Sequence, residues 1–160
     1  MDAIELLKQD HEHVKQLFKE YEEAKEDPQR KLMIAEQVIR ELMIHERIEE
    51  DIFYPAFREA AVQAKSKEDK ELVAEAKEEH HVVNTIIDEL QMVNLHAEEF
   101  DAKFKVMQEN VEHHIEEEES EMFKDARKLL KDQLDDLGEA MLELKESLQT
   151  ELGPQLAQQR

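Results

Sequence analysis

The chain has 160 residues, 42 acidic and 21 basic side chains, a formal charge of −21 at pH 7 and no cysteine. Such a charge argues against nucleic acid and anionic membrane surfaces as partners, and the lack of thiols excludes disulfides, thiolate zinc sites and iron–sulfur ligation. Only 2 glycines and 3 prolines occur, which argues against an all-β or Gly-rich-loop fold, and the abundance of Glu, Lys, Leu, Gln and Ala favours helix. In chain order, Ile4, Leu7, His11, Val14, Phe18 and Tyr21 recur at steps of three and four, predicting an amphipathic helix that ends near Glu26. Asp27 and Pro28 read as N-cap and first-turn proline of a second helix carrying Leu32, Val38, Leu42, His45, Glu49, Ile52 and Phe53, whose last turns Pro55 disturbs.

Ser66, with Asp69 three residues on, opens a third helix bearing Leu72, Ala76, His80, Val83, Ile87 and Leu90. The pattern breaks around Asn94 to Glu99. A fourth helix carries Phe104, Met107, Val111, His114, Glu118 and Met122 and runs to about Leu130. A shorter fifth, with Leu134, Leu137, Met141, Leu144 and Leu148, is expected to stop at Gly153 and Pro154. The expectation is an all-α protein: an up-down-up-down antiparallel four-helix bundle over residues 1–130, a C-terminal helix packed on it over 131–153, and a frayed tail at 154–160. The opening residues hold no long apolar run, so neither signal peptide nor membrane span is expected, and the cytoplasm is the expected address.

The inward stripes carry the informative residues. An offset of 69 positions places His11 on His80, His45 on His114 and Glu49 on Glu118. Neighbours agree: Asp10 with Glu79, Val14 with Val83, Leu42 with Val111, Glu50 with Glu119 and Tyr54 with Phe123. The remaining histidines, His13, His81, His96 and His113, have no histidine counterpart. On a helix, His45 and Glu49 stand about 6 Å apart along the axis and about 40° around it, so both can address one centre. His114 and Glu118 do the same. Four imidazoles and two carboxylates converging between helices suit two transition ions, which offset the several kcal/mol that each buried carboxylate would otherwise cost. Glu50, Asp51, Glu116, Glu117, Glu119 and Glu121 read as a solvated face.

At these residues the chain resembles the hemerythrin-like, or HHE cation-binding, family. The matching pieces are Asp10-His11, His45 through Glu49-Glu50 to Phe53-Tyr54-Pro55, Glu79-His80, and His114 through Glu118-Glu119. The resemblance implies two non-heme iron ions, oxo- or hydroxo-bridged, with the matching histidines as terminal ligands and the matching carboxylates as bridges. That iron is the metal comes from the resemblance; imidazole and carboxylate suit manganese or zinc equally.

The chain departs from oxygen-carrying members, which have a second histidine one turn along the third helix. Here Asn84 holds that place. The departure resembles shorter bacterial members, for which peroxide, nitric oxide or iron-handling roles have been proposed. Tyr54 is a candidate replacement ligand or outer hydrogen-bond donor. An ideal helix puts it about 180° from His45, but Pro55 deprives the Asp51 carbonyl of its partner and can rewind that turn; boundary packing is the other reading. His113 competes with His114 as the fourth-helix imidazole, and the repeat favours His114. The first functional reading is redox chemistry on small oxygen species, foremost catalase-like decomposition of H2O2. The alternative is binding or sensing of O2 or NO, or iron storage, without turnover. Oligomeric state is not legible.

Overall fold

The computed structural model describes the backbone of residues 1–158 and the side chains of residues 1–152. Asp2 opens α1 (Ala3–Glu23) with a capping box: its side chain accepts from the Glu5 N–H and the Glu5 side chain accepts from its own. The helix closes at Ala24, short of Glu26. Asp27 accepts from Arg30 N–H and Pro28 sits in the first turn of α2 (Pro28–Ile48), as the sequence predicts. Ser66 Oγ accepts from Asp69 N–H at the start of α4 (Lys67–Met92).

The second and fourth rods are composite. After α2, the π-helical turn Glu49–Phe53 leads into α3 (Tyr54–Gln63). After α5 (Glu98–Glu117), a second π turn, Glu118–Met122, leads into α6 (Phe123–Leu129). Pro55 comes after the first turn only; the second has none. The proline therefore does not account for both rewindings, which share an acidic start and the same place in the repeat. Each is closed by an N–H that reaches back five residues, from Tyr54 to Glu49 and from Phe123 to Glu118. The extra residue per turn re-aims the side chains beyond the turn.

The four rods form the antiparallel bundle that the pattern predicts, with no strand among the described residues. The core is split into two apolar clusters. One holds Leu6, Leu7, Ile48, Phe53, Phe57, Met122, Phe123 and Ala126 with Met141 and Leu148 from the last helix. The other holds Val14, Phe18, Leu42, Val83, Ile87, Phe104 and Met107. The buried histidines and glutamates occupy the level between them. At the far end Lys31 is buried, its Nζ donating to the Leu95 carbonyl at 3.1 Å and lying 3.2 Å from Asp101 Oδ1, which also accepts from Tyr21 Oη at 2.6 Å.

The fifth helix is not short. α7 runs Leu134–Gln158, past Gly153 and Pro154, since an internal proline deletes one hydrogen bond and bends a helix without necessarily ending it. Residues 159–160 of the expected tail lie outside the described residues. α7 lies along α1 and α2 and is pressed close: a Cβ added at Gly138 would sit 2.5 Å from Met1 O, 2.7 Å from Asp2 C and 2.8 Å from Ala3 N. These are backbone atoms that cannot swing aside. Gly138→Ala, which in an open helix would gain up to about 1 kcal/mol, is expected to cost about 1–3 kcal/mol of stability through overpacking. Urea unfolding checks the sign, and an unchanged or higher midpoint would mean that α7 does not bear on α1.

Candidate metal centre

Six of the residues on the repeated stripes meet at one level. His11, His45, His80, His114, Glu49 and Glu118 are all buried, and Glu49 is wholly enclosed. The two carboxylates lie between two pairs of imidazoles. Glu118 presents Oε1 to His11 Nε2 and Oε2 to His114 Nε2, each at 3.2 Å. Glu49 presents Oε2 to His45 Nε2 at 3.3 Å and Oε1 to His80 Nε2 at 3.1 Å. Each glutamate thus faces both pairs, one oxygen to each. His11, His45, Glu49 and Glu118 form one grouping whose donor atoms all lie within 4.8 Å of one another, and Glu49, His80 and His114 form another.

Behind every inward nitrogen stands a carboxylate. Nδ1 of His45 is 2.9 Å from Asp10, Nδ1 of His114 is 2.6 Å from Glu79, Nδ1 of His11 is 2.7 Å from Glu119 and Nδ1 of His80 is 2.9 Å from Glu50. A carboxylate accepts only, so each Nδ1 donates, and this fixes the ring and turns the Nε2 lone pair inward. These four acids obey the 69-residue offset, Asp10 with Glu79 and Glu50 with Glu119. Reading Glu50 and Glu119 as solvated face is corrected here: they are half-buried and bonded to the ring histidines.

The π turn swings Tyr54 into the site. Its hydroxyl donates to Glu118 Oε2 in a short bond and to Glu49 Oε1 at 3.1 Å, and lies 3.4 Å from both His80 Nε2 and His114 Nε2. Its counterpart Phe123 stacks on His11 at 5.7 Å. The two halves are therefore inequivalent, with a phenol beside His80 and His114 and a hydrocarbon ring beside His11. His113 points outward, 66% exposed, and pairs with Glu117, whereas His114 is buried among the other imidazoles. His13 pairs with Glu41 at the surface, and His81 and His96 are exposed.

The profile of the hemerythrin HHE cation-binding domain matches residues 2–126. The chain belongs to the hemerythrin HHE cation-binding family. A crystal structure of a hemerythrin HHE cation-binding domain-containing protein from Mycobacterium kansasii superposes with a TM-score of 0.83 at 26% identity, covering 98% of this chain and 93% of that one. Among curated proteins, none matches. The hemerythrin fold places a His/Glu cluster able to hold metal between its two halves, and none of the described helices is long and apolar enough to cross a membrane.

In this hemerythrin domain the side chain four after His80 takes no place at the centre. Asn84 donates instead to Glu46 Oε1 at 2.9 Å. The helical pattern gives no reason to single out Glu46. It is buried beside the site, and burial pushes its carboxyl up to about 7 despite the neighbouring His80. Its lone signal in sequence is a charge on an otherwise apolar level, since its counterpart is Ile115.

The electrostatics of the ion-free chain arise from burial opposed by pairing. Burial lowers the His45 and His114 imidazoles, but Glu49 and Asp10 around the first, and Glu118, Glu49 and Glu79 around the second, outweigh it and hold both well above the usual value. Burial raises Glu49, yet His45, His114 and His80 hold it well below the ordinary range. Glu118 moves the same way, held down by His114 and His11. Raised imidazoles stabilise the fold fully below 6.5 and lose that contribution as pH climbs through their folded values; lowered carboxylates stabilise fully above 4.5 and lose it as pH falls through theirs. The metal-free protein is accordingly expected to be most stable between pH 4.5 and 6.5, with Glu46 biasing the optimum to the acid side. The urea midpoint measured against pH tests this, and a midpoint still rising from pH 7 to 9 would contradict it.

Proposed function

We propose that this is a non-heme di-iron protein acting on small oxygen species, with decomposition of hydrogen peroxide to water and dioxygen as its reaction. The observation that carries the reading is a set of four buried donor atoms without hydrogen-bond partners, His11 Nε2, His45 Nε2, Glu49 Oε2 and Glu118 Oε1. The four residues form one grouping whose ligand-type atoms all lie within 4.8 Å of one another. Buried polar atoms left unmatched are rare, and a cation is the partner that two imidazole lone pairs and two carboxylate oxygens share. The residues present fit such a group.

One ion would be held by His11 and His45, the other by His80, His114 and Tyr54, with Glu49 and Glu118 serving both. Iron held as a pair supplies the two electrons that each half of peroxide disproportionation exchanges. The chain's own part is to orient the imidazoles with Nε2 inward through the acids at Nδ1, to keep bulk water out with the two apolar clusters, and to leave the phenol on one side only. Burial and the nearby Glu118 and Glu49 hold the Tyr54 hydroxyl well above its usual value in the ion-free chain. Beside a bound cation, Tyr54 would give up its hydroxyl proton and serve as the phenolate.

A cavity of about 50 Å³ reaches the imidazoles, walled by Val14, Leu42, Val83, Val111 and Ile115. That volume suits a molecule of a few atoms and no organic substrate. With Asn84 outside the donor set, one nitrogen ligand fewer is available than in oxygen carriers. Tyr54 would supply an oxygen donor in its place, and an anionic phenolate stabilises the oxidised metal, which disfavours reversible O2 carriage by the reduced state. The cytoplasm remains the expected location, with H2O2, O2 or NO as the small-molecule partners.

Iron-loaded, air-oxidised protein is expected to contain two irons per chain and to evolve oxygen from peroxide over many turnovers. His45→Ala and Glu118→Ala should each lower the iron content, and unchanged content would remove them from the ligand set. Tyr54→Phe should abolish a visible phenolate-to-ferric charge-transfer band while iron stays bound; its persistence would exclude Tyr54 as a ligand. A stable adduct formed reversibly with O2 or NO and no oxygen evolution would favour the binding-protein reading.

A further inference from the structure

The wall of the small cavity repeats with the rest of the chain, Val14 opposite Val83 and Leu42 opposite Val111. One pair breaks the rule. Ile115 lines the cavity from the second half, and its counterpart from the first half, also lining it, is Glu46. An acid stands where the repeat would put an aliphatic group. Glu46 is 7% exposed. Its Oε1 accepts from Asn84 Nδ2 at 2.9 Å and lies 3.8 Å from His80 Nδ1, while its Oε2 is buried without a hydrogen-bond partner.

The same side chain also lines a surface groove of about 530 Å³ between α2 and α4, together with Met43, Asn84 and Ile87. Glu46 therefore stands between that groove and the cavity. Asn84 anchors one of its oxygens, leaving the other for a contact the chain does not make. Any buried acceptor left unpaired discriminates among ligands, because a molecule that brings a proton satisfies it and a molecule that brings none does not.

We propose that Glu46 selects what the cavity takes: its Oε2 accepts a hydrogen bond from a small proton-bearing ligand, hydrogen peroxide or water, and disfavours dioxygen, nitric oxide and azide, which carry no proton to give. The inference rests on the reading of the centre as a metal-holding site. Azide is opposed twice, as a non-donor and as an anion beside a carboxylate.

The test, run at a pH above about 8 so that Glu46 stands as a carboxylate, compares iron-loaded wild type with Glu46→Leu, which keeps bulk but removes both oxygens, and Glu46→Gln, which keeps an acceptor and loses the charge. Azide is titrated into the oxidised proteins and nitric oxide into the reduced ones, both monitored by visible absorption, and half-saturating peroxide is measured by oxygen evolution. With iron content unchanged, Glu46→Leu is expected to bind azide and nitric oxide about tenfold more tightly and to need about tenfold more peroxide, the effect of one hydrogen bond. Glu46→Gln should tighten azide about threefold and supplies the answer if the leucine variant does not load iron. Azide and nitric oxide affinities within twofold of wild type in the variants that load, or loss of iron from Glu46→Gln, would overturn the assignment. A wild type that evolves no oxygen would defeat the peroxide reading alone, since the azide and nitric oxide titrations still decide the role of Glu46.

Discussion

Two glutamates fully inside an apolar bundle impose the constraint that organises this structure. Glu49 and Glu118 sit between the two core clusters, where a bare carboxylate costs several kcal/mol. Four imidazoles surround them, and each imidazole is held from behind by a further acid, so that the charge of the centre is spread outward in layers to the half-buried Asp10, Glu50, Glu79 and Glu119. Lys145 from α7 ends one of these chains, its Nζ 2.6 Å from Asp10 Oδ1. Thus the last helix, which closes the bundle along α1 and α2, also touches the outermost layer of the site.

The repeat supplies the frame and its exceptions supply the chemistry. Ligand-type residues and their outer acids obey the offset without fail, which gives two near-equivalent half-sites. Among the departures from the offset, three bear on the chemistry of the site: Tyr54 with Phe123, Glu46 with Ile115, and Asn84 with Lys15. Two of those breaks, Glu46 and Asn84, are joined by a hydrogen bond, and the third puts a phenol on the His80–His114 side only. A metal-holding cluster with unlike halves can bind a small molecule asymmetrically, which a fully matched one does not favour.

Much of this was legible in the chain because donors at helical spacing leave a pattern that packing alone does not produce. His45 with Glu49 and His114 with Glu118 fixed the face, and the offset separated inward His114 from outward His113. The outer acids were visible in the same offset but lost among so many glutamates, where a bonded carboxylate and a solvated one look alike. The π turns were only half legible. Pro55 marks the first, but the second at Glu118–Met122 has no breaker residue, because the shift to a five-residue hydrogen bond depends on what the tertiary site demands of Tyr54 and Phe123. Glu46 and the length of α7 were likewise set by tertiary neighbours, Asn84 in one case and the backbone of residues 1–3 beneath Gly138 in the other.

The most direct measurement of the central claim is anomalous diffraction at the iron edge from crystals of iron-loaded protein. Two peaks about 3.5–4 Å apart are expected, one against His11 and His45 and the other against His80, His114 and Tyr54, with Glu49 and Glu118 reaching both. A single peak, or iron only at the protein surface, would contradict it.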